Sequence, residues 1–306
     1  MLATKQARQT TNQTAERVTF KNILFATDFL PGAQAAFPYA AGLAKNFGAN
    51  LYALHVNEPI NYALPPESWA AMQTAVEAEK KALRERFQRE CPEIARKIIE
   101  AEGEIWTAVE SAIEKYEIDL VVVGTRGRTG LEQVLLGSKA EEILRRAHCP
   151  VLTVGPDVPA SLGTHGKIGS ILYATQFGPA SLKASRIAVS LAEEYQAKLM
   201  VQTVLPPDRY DPQVGPQEEI AEANEEELRR LVPEDAKLWC APHFLVEYGN
   251  QPAEKILHRA HEVGAELIIL GAHKLQGVPG AATHLPTAII HQVIAHANCP
   301  VLTVRG

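Results

Sequence analysis

Ile23-Leu-Phe-Ala-Thr-Asp-Phe29 returns 148 residues later as Ile171-Leu-Tyr-Ala-Thr-Gln-Phe177. Two more blocks return in the same order. Asp119-Leu-Val-Val-Val-Gly124 becomes Glu266-Leu-Ile-Ile-Leu-Gly271, and His148-Cys-Pro-Val-Leu-Thr-Val154 becomes Asn298-Cys-Pro-Val-Leu-Thr-Val304, at spacings of 147 and 150 residues. Three blocks in one order at a near-constant spacing mean a duplicated domain, and the period is far too long for a solenoid. The stretch between the copies, Gly155-Pro-Asp-Val-Pro-Ala-Ser-Leu-Gly-Thr-His-Gly166, is rich in Pro and Gly and reads as a linker. The expected organisation is a disordered tail over 1–20, a first domain over 21–155, a linker over 156–168 and a second domain over 169–306.

Within each copy, short apolar runs alternate with helical patterns. Strands are expected at 22–26, 51–56, 97–101, 120–123 and 151–154, with helices near 33–47, 69–89, 105–116 and 139–147. The second copy repeats the strands near 170–174, 198–204, 243–246, 267–270 and 301–304. Continuous apolar runs suit strands buried on both faces. Ala35, Tyr39, Gly42, Leu43 and Ala44 form a small-residue stripe fit to lie on a sheet. Regular alternation of strand and helix implies an α/β fold, a doubly wound parallel sheet in each copy.

The 306 residues are 46% hydrophobic and 22% charged, which suits folded domains rather than a disordered chain. The formal charge of −6 argues against nucleic acid as a partner, since phosphate-backbone binding needs a basic footprint. No apolar run approaches the ~18 residues of a membrane span. The first 20 residues, polar and rich in Thr and Gln, lack the apolar stretch of a signal peptide. Cys91, Cys149, Cys240 and Cys299 form no CxxC pair, so reduced, packed thiols in a cytoplasmic protein are expected.

The fourth strand runs straight into Gly124-Thr-Arg-Gly127-Arg-Thr-Gly130-Leu-Glu-Gln-Val-Leu-Leu-Gly137-Ser138, after which a helix pattern begins. Glycines let backbone approach a phosphate closely, and the free N–H groups of a new helix point at it. Arg126, Arg128 and Lys139 add positive charge, and Asp28 ends strand one at the same carboxyl edge, where open α/β sheets bind ligands. Each feature has a plainer reading: Gly124 ends a strand, Ser138 with Glu141 forms a capping box, Asp28 caps the next helix, and the arginines are solvated. Their convergence at one sheet edge favours a nucleotide site.

The Gly-2x-Gly-9x-Gly-Ser spacing, an Asp after strand one in a Thr-Asp-Phe context, and the closing Cys-Pro-Val-Leu-Thr-Val strand resemble the universal stress protein family. The resemblance covers both copies. It implies a five-stranded parallel sheet of order 3-2-1-4-5 in each, adenine-nucleotide alpha-hydrolase-like, and in many members ATP binding. It further implies that Ala26, Thr27 and Asp28 lie near adenosine, that the backbone at Val56 reads the adenine edge, and that Val123 and Gly124 support the nucleotide. Arg126, Gly127, Arg128, Gly137, Ser138 and Lys139 would hold the phosphates, with Mg²⁺ bridging their oxygens. In that strand order the fifth strand is an apolar edge. The strands at 151–154 and 301–304 are therefore expected to meet in an intramolecular pseudo-dimer, with homodimerisation of the whole chain left open.

The second copy departs from the pattern. Gln176 stands opposite Asp28, Lys274 opposite Gly127, Thr287 opposite Gly137 and Ala288 opposite Ser138, and its loop carries two prolines. That copy reads as a structural partner without a nucleotide site. His258 and His261 share a probable helix but have no third ligand at metal-site spacing. The expected function is an ATP-binding stress-response protein, signalling or protective, whose nucleotide alters contacts with a protein partner. A slow ATPase or phosphotransferase using the same pocket stays open, as does a nucleotide-independent protein binding a partner or apolar ligand through the second copy. No Walker loop or water-activating base marks a committed enzyme.

Overall fold

The computed structural model describes residues 18–29, 31–57, 65–125, 136–155, 158–159, 167–207, 217–234, 236, 241–272 and 287–305. The first half runs β1 (Asn22–Ala26), α1 (Pro31–Phe47), β2 (Asn50–Asn57), α2 (Pro66–Glu90), β3 (Arg96–Glu102), α3 (Ile105–Lys115), β4 (Leu120–Gly124), α4 (Ser138–Arg146) and β5 (Val151–Val154). The second half runs β6 (Ser170–Ala174), α5 (Pro179–Tyr195), β7 (Lys198–Leu205), α6 (Gln217–Leu231), β8 (His243–Tyr248), α7 (Pro252–Glu262), β9 (Leu267–Ala272), α8 (Thr287–His296) and β10 (Val301–Arg305).

The strands lie in the order β3-β2-β1-β4-β5-β10-β9-β6-β7-β8. Each half thus has the expected 3-2-1-4-5 order, and the two halves share one ten-stranded sheet. Neighbours within each half are parallel. At the seam β5 and β10 pair antiparallel, with Val301 opposite Thr153, Leu302 opposite Leu152 and Thr303 opposite Val151. The two apolar edges therefore satisfy each other's backbone groups, which is what an uncovered edge strand requires.

Burial on both faces follows from alternation along each strand. Ile23 and Phe25 face α1 and α2, while Leu24 between them faces α3 and α4. One apolar layer joins α1 and α2 to α5 and α6, and the other joins α3 and α4 to α7 and α8. Helix α1 lies close to the sheet because Ala36, Ala40 and Ala44 are its fully buried stripe.

The chain leaves the first strand of each half by the same turn. Thr27 Oγ1 accepts from the Phe29 N–H at 3.0 Å, and Thr175 Oγ1 accepts from the Phe177 N–H at 3.3 Å. Phe29 and Phe177 both take left-handed backbone, φ 63° and 59°, a conformation costly for a bulky side chain. The turn is held in both halves, so it belongs to the fold rather than to any ligand.

Candidate functional site

The carboxyl ends of β1 and β4 open a cleft of about 510 Å³. The expected residues Ala26, Thr27, Asp28, Val56, Val123, Gly124, Gly137, Ser138 and Lys139 all line it. Arg126, Gly127 and Arg128 lie outside the described residues. Strand order explains the convergence: β1 and β4 are neighbours, and the chain leaves them for opposite faces of the sheet.

Sequence reasoning missed the apolar wall. Leu54 from β2, Ile105 and Val109 one turn apart on α3, and Leu136, Ala140 and Ile143 around α4 complete the lining. The amphipathic spacing on α3 and α4 marks these positions as inward-facing, but only the sheet order shows which of them reach the cleft rather than the core. The wall is apolar at the α3 side, and Asp28 stands exposed at the rim.

The phosphate-like end is the start of α4. Gly137 is the N-cap, in extended backbone (φ −62°, ψ 143°), with no side-chain cap hydrogen bond. Ser138 is the first helical residue, exposed beside Lys139, so the capping-box expectation is corrected: the serine sits one position too late to cap. The N-cap glycine offers the first-turn amides of α4 no side-chain acceptor of its own, and these residues line the cleft, a position that favours an anion.

Gly124 has a packing reason that the sequence does not show. A Cβ built there would lie 1.9 Å from the Gly32 carbonyl oxygen and 2.6 Å from the Ala33 Cα. The glycine is required by the close approach of α1 to β4. Its place in the cleft lining goes with that contact.

Behind the Thr27 turn sits His55, which sequence reasoning also missed. Its Nδ1 lies 3.0 Å from the Thr27 carbonyl oxygen and its Nε2 3.2 Å from Asn57 Oδ1, and its ring packs on Phe29 at 4.5 Å. This buried ring props the turn that sets Asp28 at the rim. Thr125 closes the floor, its N–H donating to the Val154 carbonyl at 2.9 Å.

Fold and cleft define a class: two doubly wound α/β halves joined edge to edge, with a crevice at the switch point of the first. The chain belongs to the universal stress protein family, whose model matches residues 19–155 and again 167–305. It is similar to a universal stress protein of Methanocaldococcus jannaschii, 35% identical over 139 residues, covering 44% of this chain and 82% of that one. A Mycobacterium bovis universal stress protein is 26% identical over 252 residues, covering 78% of this chain and 80% of its own length. The crystal structure of a universal stress protein from Archaeoglobus fulgidus superposes with a TM-score of 0.67 at 19% identity, covering 93% of this chain and 98% of that chain, which shows a shared fold. Among the described residues no helix is long and apolar enough to cross a membrane.

Proposed function

We propose that the first-half cleft binds one adenine nucleotide, ATP, and that the second half serves as its structural partner. The observation that carries this reading is a single continuous cleft with an apolar wall at one end and an uncapped helix start beside Lys139 at the other. Its volume of about 510 Å³ lies within the usual range for small-molecule sites. Leu54, Ile105, Val109 and Ile143 would sandwich the base, with the backbone at Val56 reading its edge. Asp28 would accept from the ribose hydroxyls, and the α4 amides with Ser138 and Lys139 would take the phosphates. Mg²⁺ would be held by phosphate oxygens, since Asp28 is the one carboxylate among the cleft's described lining residues. Nucleotide occupancy would then set the position of the segment leading into α4, and through it the contact with a protein partner in a cytoplasmic stress response.

Calorimetric titration of ATP with Mg²⁺ tests the reading. The expected result is one site per chain, with Asp28→Ala weakening it about tenfold and with circular dichroism showing the fold retained, because Asp28 is exposed. Two equivalent sites would overturn the assignment of roles to the halves, and no binding would favour the nucleotide-independent reading. Phosphate release well above the uncatalysed rate would move the protein into the ATPase class.

A further inference from the structure

Outside the first-half cleft, two neighbouring buried polar atoms have no hydrogen-bond partner among the described residues. They lie at the end of β10, on the face that carries α4 and α8. Thr303 is 2% exposed, and its Oγ1 has no hydrogen-bond partner. Two residues on, and so on the same face, Arg305 is half-buried, and its Nε is fully buried and likewise unpartnered. Among the described residues no carboxylate pairs with this guanidinium.

The seam brings a second cation to it. Thr303 lies opposite Val151, so continuing the antiparallel register sets Arg305 beside the chain just before β5, where α4 ends. The last turn of α4 carries Arg145 and Arg146. Arg146 is engaged, donating to Glu142 Oε1 at 3.0 Å and stacking over Trp106 at 4.8 Å. Arg145 is exposed and makes no ion pair among the described residues. Burial, and then the positive charge of Arg145, hold the Arg305 pKa below its ordinary value.

A half-buried guanidinium facing a like charge and an unpaired hydroxyl is unfavourable unless something neutralises it. A water molecule would satisfy Thr303 but would leave two positive charges facing each other. A tetrahedral oxyanion satisfies all three: the fork of Arg305 matches two of its oxygens, Arg145 adds charge from the rim, and Thr303 donates.

We propose that Thr303 and Arg305 of the second half, with Arg145 of the first, form a binding site for a phosphate-like oxyanion at the seam. The site is separate from the first-half cleft and needs both halves. It also occurs once, because the repeat-related positions of Arg305 and Arg145 are Gly155 and Ala295. The repeat-related hydroxyl, Thr153 Oγ1, already donates to the Val301 carbonyl at 3.0 Å.

The test is thermal unfolding of the full chain in inorganic phosphate against chloride of equal ionic strength, without nucleotide. Phosphate is expected to raise Tm. Arg305→Met should lower that rise to what the first-half cleft and general exclusion of phosphate leave, and Arg305→Lys should fall between the two. Arg145→Ala should weaken the Arg305-dependent phosphate affinity about three- to tenfold, and Lys139→Ala, at the other cleft, should leave that part unchanged. In chloride alone, Arg305→Met should match or exceed the parent chain, because an unneutralised charge has been removed. Four results overturn the proposal. They are no rise in the parent chain, a rise undiminished by Arg305→Met, a rise lost only with Lys139→Ala, or an Arg305→Met loss of Tm that is equal in chloride and phosphate. Glycerol 3-phosphate run alongside separates the two sources of the anion. A shift equal to that of phosphate admits phosphate esters and no shift restricts the site to the free ion, and either supports the site. ATP takes no part, so failure here leaves the first-half reading standing.

Discussion

The two halves share one backbone plan and differ in what fills the same place. In the first half Leu54, beside Ala26 on the next strand, forms part of an open apolar wall. In the second half the residue beside Ala174 is Gln202, completely buried. Its Nε2 donates to Glu247 Oε2 at 2.5 Å, and Glu247 Oε1 meets Arg259 at 3.4 Å and Lys255 at 3.8 Å. Repeat-related positions in the first half carry Ala101, Ala112 and Ala108. A charged network thus occupies the ground that small and apolar side chains leave open in the other copy. On the reading proposed for the first half, the comparison teaches that such a site would be lost from within: a strand position filled by an amide with its own acid partner would close it, alongside the sequence changes at Lys274 and Thr287.

The sharpest way to break the comparison is at the paired glycines. Gly124→Ala drives a methyl into backbone of α1 and is expected to cost about 3 kcal/mol, read by urea denaturation. Gly271→Ala meets nothing closer than 3.6 Å, an ordinary contact, and should change stability by less than about 1 kcal/mol. Next in size is the transplant Leu54→Gln. It imports the second half's amide without an acid to receive it, so it should cost about 2 kcal/mol and weaken ATP binding at least tenfold by calorimetry.

A smaller effect separates the two related thiols. Burial pushes Cys149 up to about 11 and Cys299, deeper in the core, up to about 12. Both values are raised, so the folded chain keeps protons that the unfolded chain releases. Their stabilising contribution is full below the ordinary thiol value near 9 and is lost as pH rises through 11 and 12. The fall of Tm above pH 9 should therefore flatten more in Cys299→Ala than in Cys149→Ala. The smallest effect expected is that of Ser138→Ala. Gly137 occupies the cap position, so losing the hydroxyl should change stability by less than about 0.5 kcal/mol. A loss near 1 kcal/mol would restore the serine as a cap.

Much of this was legible before any coordinates. The matched blocks and the alternation of short apolar runs carry the duplicated α/β plan, because strands buried on both faces leave unbroken apolar runs. Strand ends were less clear. β8 and β9 run two residues past the apolar cores at 246 and 270, since backbone pairing continues through Tyr248 and Ala272 without regard to side-chain polarity. Asp28 and the Gly137–Lys139 stretch were found through local spacing. Leu54, Ile105 and Val109 were not, because an apolar residue that lines a cleft has the same pattern as one that lines a core. Gly124 was singled out, but its cause, a helix 1.9 Å from where its side chain would begin, is a contact across 92 residues of sequence.

The antiparallel seam between β5 and β10 changes what dilution can do. An edge-to-edge contact between separate subunits dissociates when concentration falls below its Kd, and each freed edge is then available to any passing strand. Here the complementary edge is carried on the same chain, and its local concentration is set by the tether rather than by expression level. The contact holds at one molecule per cell as well as at a thousand. Each open half is matched to one filled half at every concentration, and homodimers of either half cannot compete. The outermost strands, β3 and β8, are then the two edges left to face other molecules.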